Sequence, residues 1–360
     1  MLSRKITFVL GAGASAELGF PLGSSLQQAI QAQASAEKSR LAPASALEEL
    51  GDLLPISLAM TKIGYDYATT AAALARLQDG ALEAPSIDTF LHNNRHQRAV
   101  VDCGKLSIVY AILSAERDSP AASESAARAY NDKRSIPSWT YTSHRSAAIK
   151  SSFISLIWDE ICQTHTVDDV NGIFDNIAFV NFNYDRSLEE TFTYKLMTSF
   201  GIDERVARGI VDKLDVIRPY GSPHGNMPLS AAAPRFGDLY ASSLGECAGR
   251  IRTFTEAAHD TVPARINALM CESKAVVFLG FGFHRQNVDL FGSDGRNAPD
   301  VYYSMFGGSV ENCRHIESML TQKIGLIADG RATTSKAYNY HLGTSLETLR
   351  RFQFPIFRNP

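Results

Sequence analysis

Two polar residues in loops after β-prone runs have side chains that could do chemistry: Asn183 in N-F-N-Y-D-R-S-L-E (181–189), and His224 in P-Y-G-S-P-H-G-N (219–226). An imidazole with an ordinary pKa of about 6.5 is the natural base near neutral pH. An asparagine orients a hydroxyl or a water without adding charge. Each also has a plainer explanation, since Asn183 and Asp185 at a strand end fit a helix cap and His224 between Pro223 and Gly225 fits a turn histidine. Two glycine turns accompany them. G-A-G-A-S (11–15) follows the apolar run Ile6–Leu10, and G-F-G-F (280–283) follows A-V-V-F-L (275–279). Glycines let a backbone approach a pyrophosphate, and a helix N-terminus supplies N–H groups and partial positive charge. Ser15 adds a hydroxyl donor. A bare strand-to-helix turn would use the same glycines.

For these residues to meet, strands must stand behind them. Short β-prone runs occur at 6–10, 176–181, 214–218 and 275–279, with weaker ones at 301–305 and 336–340. The loops Gly11–Ser15, Asn183–Asp185, His224–Gly225 and Gly280–Phe283 all leave carboxyl ends of such runs, where open α/β sheets bind ligands. Helical patterns lie between them: 47–60, 69–77, 100–115 and 147–164 before the second strand, then helices from Ser187 and over 264–270, 316–320 and 345–351. A helix start is expected at Ser24 or Ser25, and breaks at Pro43, Pro55 and Gly64. The alternation predicts an α/β fold, a Rossmann-like parallel sheet with helices on both faces and a large helical insertion (about 27–165) after the first strand. One unit is expected over 1–360, its segment 291–360 the least patterned. Asp118–Ser146 reads as a long loop or lid. In S-I-D-T-F-L (86–91), Ser86 caps a helix, and Asp88 is either a helix-start carboxylate or a group facing the site. His284 reads as a surface or helix-start histidine.

At 360 residues, 45% hydrophobic and 20% charged, the chain can bury a large core. A net charge of −3 leaves no electrostatic footprint for direct nucleic-acid binding. No 18-residue apolar run or signal peptide is present, so the expected location is cytoplasmic, with no membrane partner. The cysteines at 103, 162, 247, 271 and 313 form no C-x-x-C pair, so neither a zinc site nor a disulfide framework is expected. The dehydrogenase fingerprint is met only loosely, by Gly11, Gly13 and Ala16, and its second strand is missing, because 27–39 is Gln- and Ala-rich. No Gly-Lys-Ser/Thr follows the first glycines, which excludes a kinase-type P-loop.

Taken in order, G-A-G-A-S (11–15), G-F-P (19–21), N-F-N-Y-D-R-S-L-E (181–189), His224-Gly225 and G-F-G-F (280–283) resemble the sirtuin-like family, specifically its bacterial NAD-consuming anti-phage effectors. S-I-D-T-F-L (86–91) also looks like a segment of that branch, and the likeness spans roughly 6–290. The resemblance implies NAD+ as substrate and no metal. Gly11, Ala12, Gly13 and Ser15 would cradle the diphosphate, with Pro21 from the same motif beside the nucleotide. Asn183 would hold the nicotinamide ribose or the attacking water, Asp185 would lie near the carboxamide, and His224 would accept a proton from a ribose hydroxyl. Gly280, Phe281 and Gly282 would pack against the adenosine half. Three departures argue against deacylation: the C-x-x-C zinc module is absent, Leu22-Gly23-Ser24 replaces an Asp-Phe-Arg segment, and Asn181-Phe182-Asn183 replaces Thr-Gln-Asn. The function implied is an NAD+ glycohydrolase releasing nicotinamide and ADP-ribose, a defence effector controlled by homo-oligomerisation or by a separate sensor or ATPase partner. The alternatives are a non-catalytic NAD or ADP-ribose sensor and an NAD-dependent protein deacylase.

Overall fold

The computed structural model describes residues 2, 4–41, 54–122, 138–225, 228, 236–237, 239, 241–258, 261–292, 299–324, 326–328, 331–333 and 338–358. Its strands are β1 (Ile6–Leu10), β2 (Ile177–Asn181), β3 (Asp215–Ile217), β4 (Ala275–Leu279), β5 (Asp300–Ser304), β6 (Leu326–Ala328), β7 (Arg331–Thr333) and β8 (Tyr338–His341). β6 and β7 pair antiparallel. The other six form one sheet in the order β3-β2-β1-β4-β5-β8, parallel at every junction. The chain builds outward from β1 through β2 to β3, then returns to the opposite side of β1 with β4. The switch point therefore lies between β1 and β4, in a Rossmann-like order.

β1 and β4 are buried along their whole length. That is why they read as near-continuous apolar runs rather than alternating ones. Alternate residues feed two cores. Val9, Val180, Val276, Phe278 and Tyr303 face one, while Ile6, Phe8, Leu10, Phe179, Val277 and Leu279 face the other.

The helices are α1 (Ala12–Ser15), α2 (Gly23–Arg40), α3 (Pro55–Lys62), α4 (Tyr67–Gly80), α5 (Ile87–Asn93), α6 (Arg98–Asp118), α7 (Ser138–Lys150), α8 (Phe153–Cys162), α9 (Ser187–Phe200), α10 (Glu204–Val211), α11 (Ala241–Gly249), α12 (Phe254–Ala258), α13 (Val262–Glu272), α14 (Arg285–Val288), α15 (Val310–Ile324) and α16 (Ser345–Phe357). The insertion after β1 is divided between the layers. α2 to α6 supply the first core, whereas Phe153, Ile154, Ile157, Trp158 and Ile161 of α8 supply the second.

Several expected boundaries move. Pro55 opens α3 instead of breaking a helix, because buried Glu37 accepts the Ile56 and Ser57 N–H groups and so caps that helix from α2. The pattern at 147–164 divides at Ser151-Ser152, between α7 and α8. Residues 138–146, expected in a loop or lid, are helical within α7; 123–137 of that segment lie outside the described residues, as do 47–53 of the helix expected over 47–60. α2 starts at Gly23, and Ser25 Oγ bonds back to the Leu22 carbonyl instead of capping it.

Glu17 ties the layers together. One carboxylate oxygen accepts Phe153 N–H and the other Leu346 N–H, each at 2.8 Å, so a single side chain serves the first turns of α8 and α16. Glu17→Ala would orphan two donors at two helix N-termini. The expected cost is about 1–3 kcal/mol, seen as a lower urea midpoint with an unchanged slope.

Candidate functional site

At the switch point the two glycine turns are knitted to each other. Gly11 N–H donates to Leu279 O and Gly13 N–H to Gly280 O, both at 3.0 Å. A Cβ on Gly11 would lie 2.5 Å from Gly280 O, and one on Gly280 would lie 2.0 Å from Ala14 N. Gly280 is also left-handed, with φ 56°. These glycines are thus required by backbone against backbone, whatever ligand is present. The contacts change what the G-A-G-A-S turn can offer a phosphate. The Gly11 and Gly13 amides, expected to cradle it, are spent on β4, which leaves the Ala12 N–H and the Ser15 hydroxyl.

Asn183 crosses from the end of β2 to this turn. Its Nδ2 donates to Gly11 O (2.9 Å) and Ser15 Oγ (2.8 Å). Because a carbonyl can only accept, the amide orientation is fixed and Oδ1 is left as the presented acceptor. Ser15 Oγ accepts that bond and keeps its own O–H to donate. The Asn183 main chain is held as well: Asn181 Oδ1 accepts its N–H, and Arg218 Nη1 donates to the carbonyls of Asn183 (3.1 Å) and Asp185 (3.0 Å).

Arg218 follows β3 and links the asparagine to the histidine. Its Nη2 pairs with buried Glu189 of α9. Burial opposes ionisation of Glu189, but Arg218 and His224 outweigh it and hold the carboxyl below its usual range. His224, six positions after Arg218, is buried, with Nδ1 3.0 Å from Ser222 Oγ. Burial lowers its pKa to about 3; Glu189 opposes that shift, and Arg218, Arg186 and Arg250 reinforce it. The ordinary value near 6.5 expected for this base is therefore not the value in the fold. The imidazole is neutral throughout the physiological range and has a free capacity for one proton.

This shift carries a stability prediction. A folded pKa below the unfolded one means that the unfolded chain binds the extra proton, so the contribution is present above about pH 6.5 and is lost as pH falls toward 3. His224→Gln is expected to flatten the fall in denaturant midpoint between pH 6.5 and 4.5. An unchanged slope would contradict a buried neutral imidazole.

Gly11, Gly13, Ser15, Asn183 and Gly280 thus form one bonded group, joined through Arg218 to the His224 loop. The remaining expected residues have other places. Asp185 Oδ1 accepts Ser187 N–H at 3.0 Å, a local cap on α9. Phe281 packs its ring among Phe182, Phe278, Phe283 and Phe291 and is core, although its backbone abuts Gly11. The same aromatic packing holds Phe283 at φ 50°, an unusual value for a bulky residue. A Cβ on Gly282 would touch the exposed His284 ring, and His284 stands at the start of α14 as expected. Pro21 sits partly exposed between left-handed Gly19 and α2. Asp88 does not cap α5, because Ser86 Oγ already accepts Thr89 N–H; Asp88 instead accepts the Tyr184 hydroxyl at 2.9 Å.

Arg218 and Glu189 were not singled out from sequence as functional. The available signal was position alone: an arginine at the carboxyl end of a strand, and a glutamate one turn into the helix after Asn183.

A cavity of about 570 Å³ opens elsewhere, lined by residues of α6 and α11 including Asp102, Lys105 and Ala248. It shares no residue with the Asn183–His224 group. Among the described residues, no group of three or more His, Cys, Asp or Glu is placed to hold a metal, and no helix is long and apolar enough to cross a membrane. No protein-family model matches the chain, and no curated protein matches it.

Proposed function

We propose that the chain is an NAD+ glycohydrolase that releases nicotinamide and ADP-ribose. The observation that carries this reading is the fixed amide of Asn183, whose Nδ2 is committed to Gly11 and Ser15 so that Oδ1 alone is presented, joined through Arg218 to a neutral buried histidine. Cleavage breaks the C1′–N bond, and its electron pair moves onto the pyridine nitrogen, so nicotinamide leaves neutral and the positive charge passes to the ribose. Water then adds at C1′ and gives up a proton. Asn183 Oδ1 can accept a hydrogen bond from that water or a ribose hydroxyl and so set its approach, which is where orientation contributes to rate. The oxonium formed when water adds to the ribose cation is a strong acid, so His224, unprotonated but a weak base with its pKa near 3, can still take that proton.

The diphosphate fits over β1 and β4, where Ala12 N–H and the Ser15 O–H remain as donors and the partial charge of the switch point favours an anion. The resemblance to NAD-consuming effectors supports a cytoplasmic role in anti-phage defence, with restraint by homo-oligomerisation or by a separate sensor or ATPase partner. The direct test incubates the purified chain with NAD+ over a range of protein concentrations and quantifies nicotinamide and ADP-ribose. Equal amounts of both are expected, without the absorbance of reduced nicotinamide. Absence of NAD+ binding at every concentration would overturn the proposal.

A further inference from the structure

Asp88 is a half-buried carboxylate with no cationic partner among the described residues. It lies in the first turn of α5, where Ser86 already serves the free N–H of Thr89, so helix capping does not account for it. Among the described residues its carboxylate meets the Tyr184 hydroxyl at 2.9 Å and its own backbone N–H, and no cation pairs with it. Among the described residues the groups that act on it are not cationic. Tyr184 and Tyr220 face it from the loops after β2 and β3, and Glu256 comes from α12, where Lys105 of α6 is already bound to that glutamate. Burial pushes the Asp88 carboxyl up to about 6 against the Tyr184 hydrogen bond. An uncompensated carboxylate costs stability, and such groups persist at sites where a ligand supplies the missing charge.

Its position identifies that ligand. Tyr184 is the residue after Asn183, and its ring stands 6.3 Å from that of Tyr220, four positions before His224. Asp88 is therefore tied to the loop that carries Asn183, and through the Tyr184–Tyr220 ring contact it lies beside the loop that carries His224. We propose that Asp88 is the counter-charge for the cationic nicotinamide–ribose end of the dinucleotide, so that the site selects the oxidised, positively charged form over the reduced, neutral one. The inference rests on the glycohydrolase reading. In the ground state the positive charge is on the pyridinium ring, and during cleavage it moves to the ribose; a carboxylate on this wall stabilises both. ADP-ribose lacks that charge and gains nothing from Asp88.

The test measures dissociation constants for NAD+, NADH and ADP-ribose by calorimetry in His224→Ala, which prevents turnover, with and without Asp88→Asn. His224→Ala is expected to prefer NAD+ over NADH by about tenfold, the equivalent of one modest charge interaction. Adding Asp88→Asn should abolish that preference by weakening NAD+ alone. Lowering the pH through about 6 should do the same in the parent by protonating the carboxyl. Tyr184→Phe keeps the charge and should keep the preference. Because the carboxylate charge costs stability increasingly from about pH 4 to about pH 6 and fully above that, Asp88→Asn should also melt higher at pH 8 and lose this advantage as the pH falls to about 4. Equal weakening of all three ligands, or a preserved NAD+ preference, would overturn the inference while leaving the glycohydrolase standing if the wild-type chain releases nicotinamide. Binding of none of the three would overturn both.

Discussion

Asn183→Ala is expected to lower nicotinamide release by about three orders of magnitude, with the folded state retained. Truncation removes Oδ1, the group that the proposed mechanism turns toward the substrate, together with both bonds that fix the Gly11–Ser15 turn. Loss of one preorganised polar contact at a reacting centre costs about 10²–10³ in rate, and misplacement of a general base or its water adds to that. Asn183→Asp separates the two contributions. A carboxylate keeps an acceptor of similar size but cannot donate to Gly11 O, so it sets oxygen against oxygen in a buried site and should not rescue turnover. His224→Ala should fall nearly as far, while the pair should fall little further than either alone, because residues that act as a unit are not additive. Single-turnover release of nicotinamide, read beside melting temperature, checks all three. Asn183→Ala within tenfold of wild type, and still folded, would remove the asparagine from the mechanism.

The chemistry depends on a sheet edge that was readable in advance, for a physical reason. Central parallel strands are buried on both faces, so β4 appears as an uninterrupted apolar run and β1 as one broken only by Thr7, and each ends in glycines because the two turns touch. Asn183 stood out because a polar residue directly beyond such a run sits at the carboxyl edge of the sheet, and His224 because its glycine-bearing loop leaves the same edge. What could not be read was which partners they would find. Arg218 looks like any arginine after a strand until the fold brings the carbonyls of Asn183 and Asp185 to it from another loop. The proton affinity of His224 depends on burial and on four charged residues from three separate segments. In the sequence Asp88 fits a cap and a site-facing group alike, because both start from the same position in α5; its contact with the hydroxyl of Tyr184, 96 residues away, comes only with the fold. Glycine itself misleads here. The residues that suggested a phosphate cradle are conformationally demanded by the opposing turn, and the phosphate donors that remain come from Ala12 and Ser15.

That demand makes Gly280→Ala a severely damaging small substitution. Its Cβ would fall 2.0 Å from Ala14 N, 2.2 Å from Gly13 C and 2.6 Å from Gly13 Cα, all backbone atoms that no rotamer change can move aside. The residue is also at φ 56°, which costs a non-glycine about 1 kcal/mol before any overlap. Relief requires parting the two turns, with loss of the Gly13 N–H to Gly280 O bond and of the frame that holds Asn183 against Ser15. A loss of about 4 kcal/mol or more is expected, at the far end of the range for single substitutions. Gly307→Ala isolates the conformational part: Gly307 has φ 71° with nothing within 4 Å of its Cβ position, so it should cost about 1 kcal/mol. The difference between the two, measured by urea unfolding, is the energy with which the glycine turns hold each other. If Gly280→Ala cost no more than Gly307→Ala, the turns would be free to separate, and the fixed amide of Asn183 on which the proposed chemistry rests would lose its support.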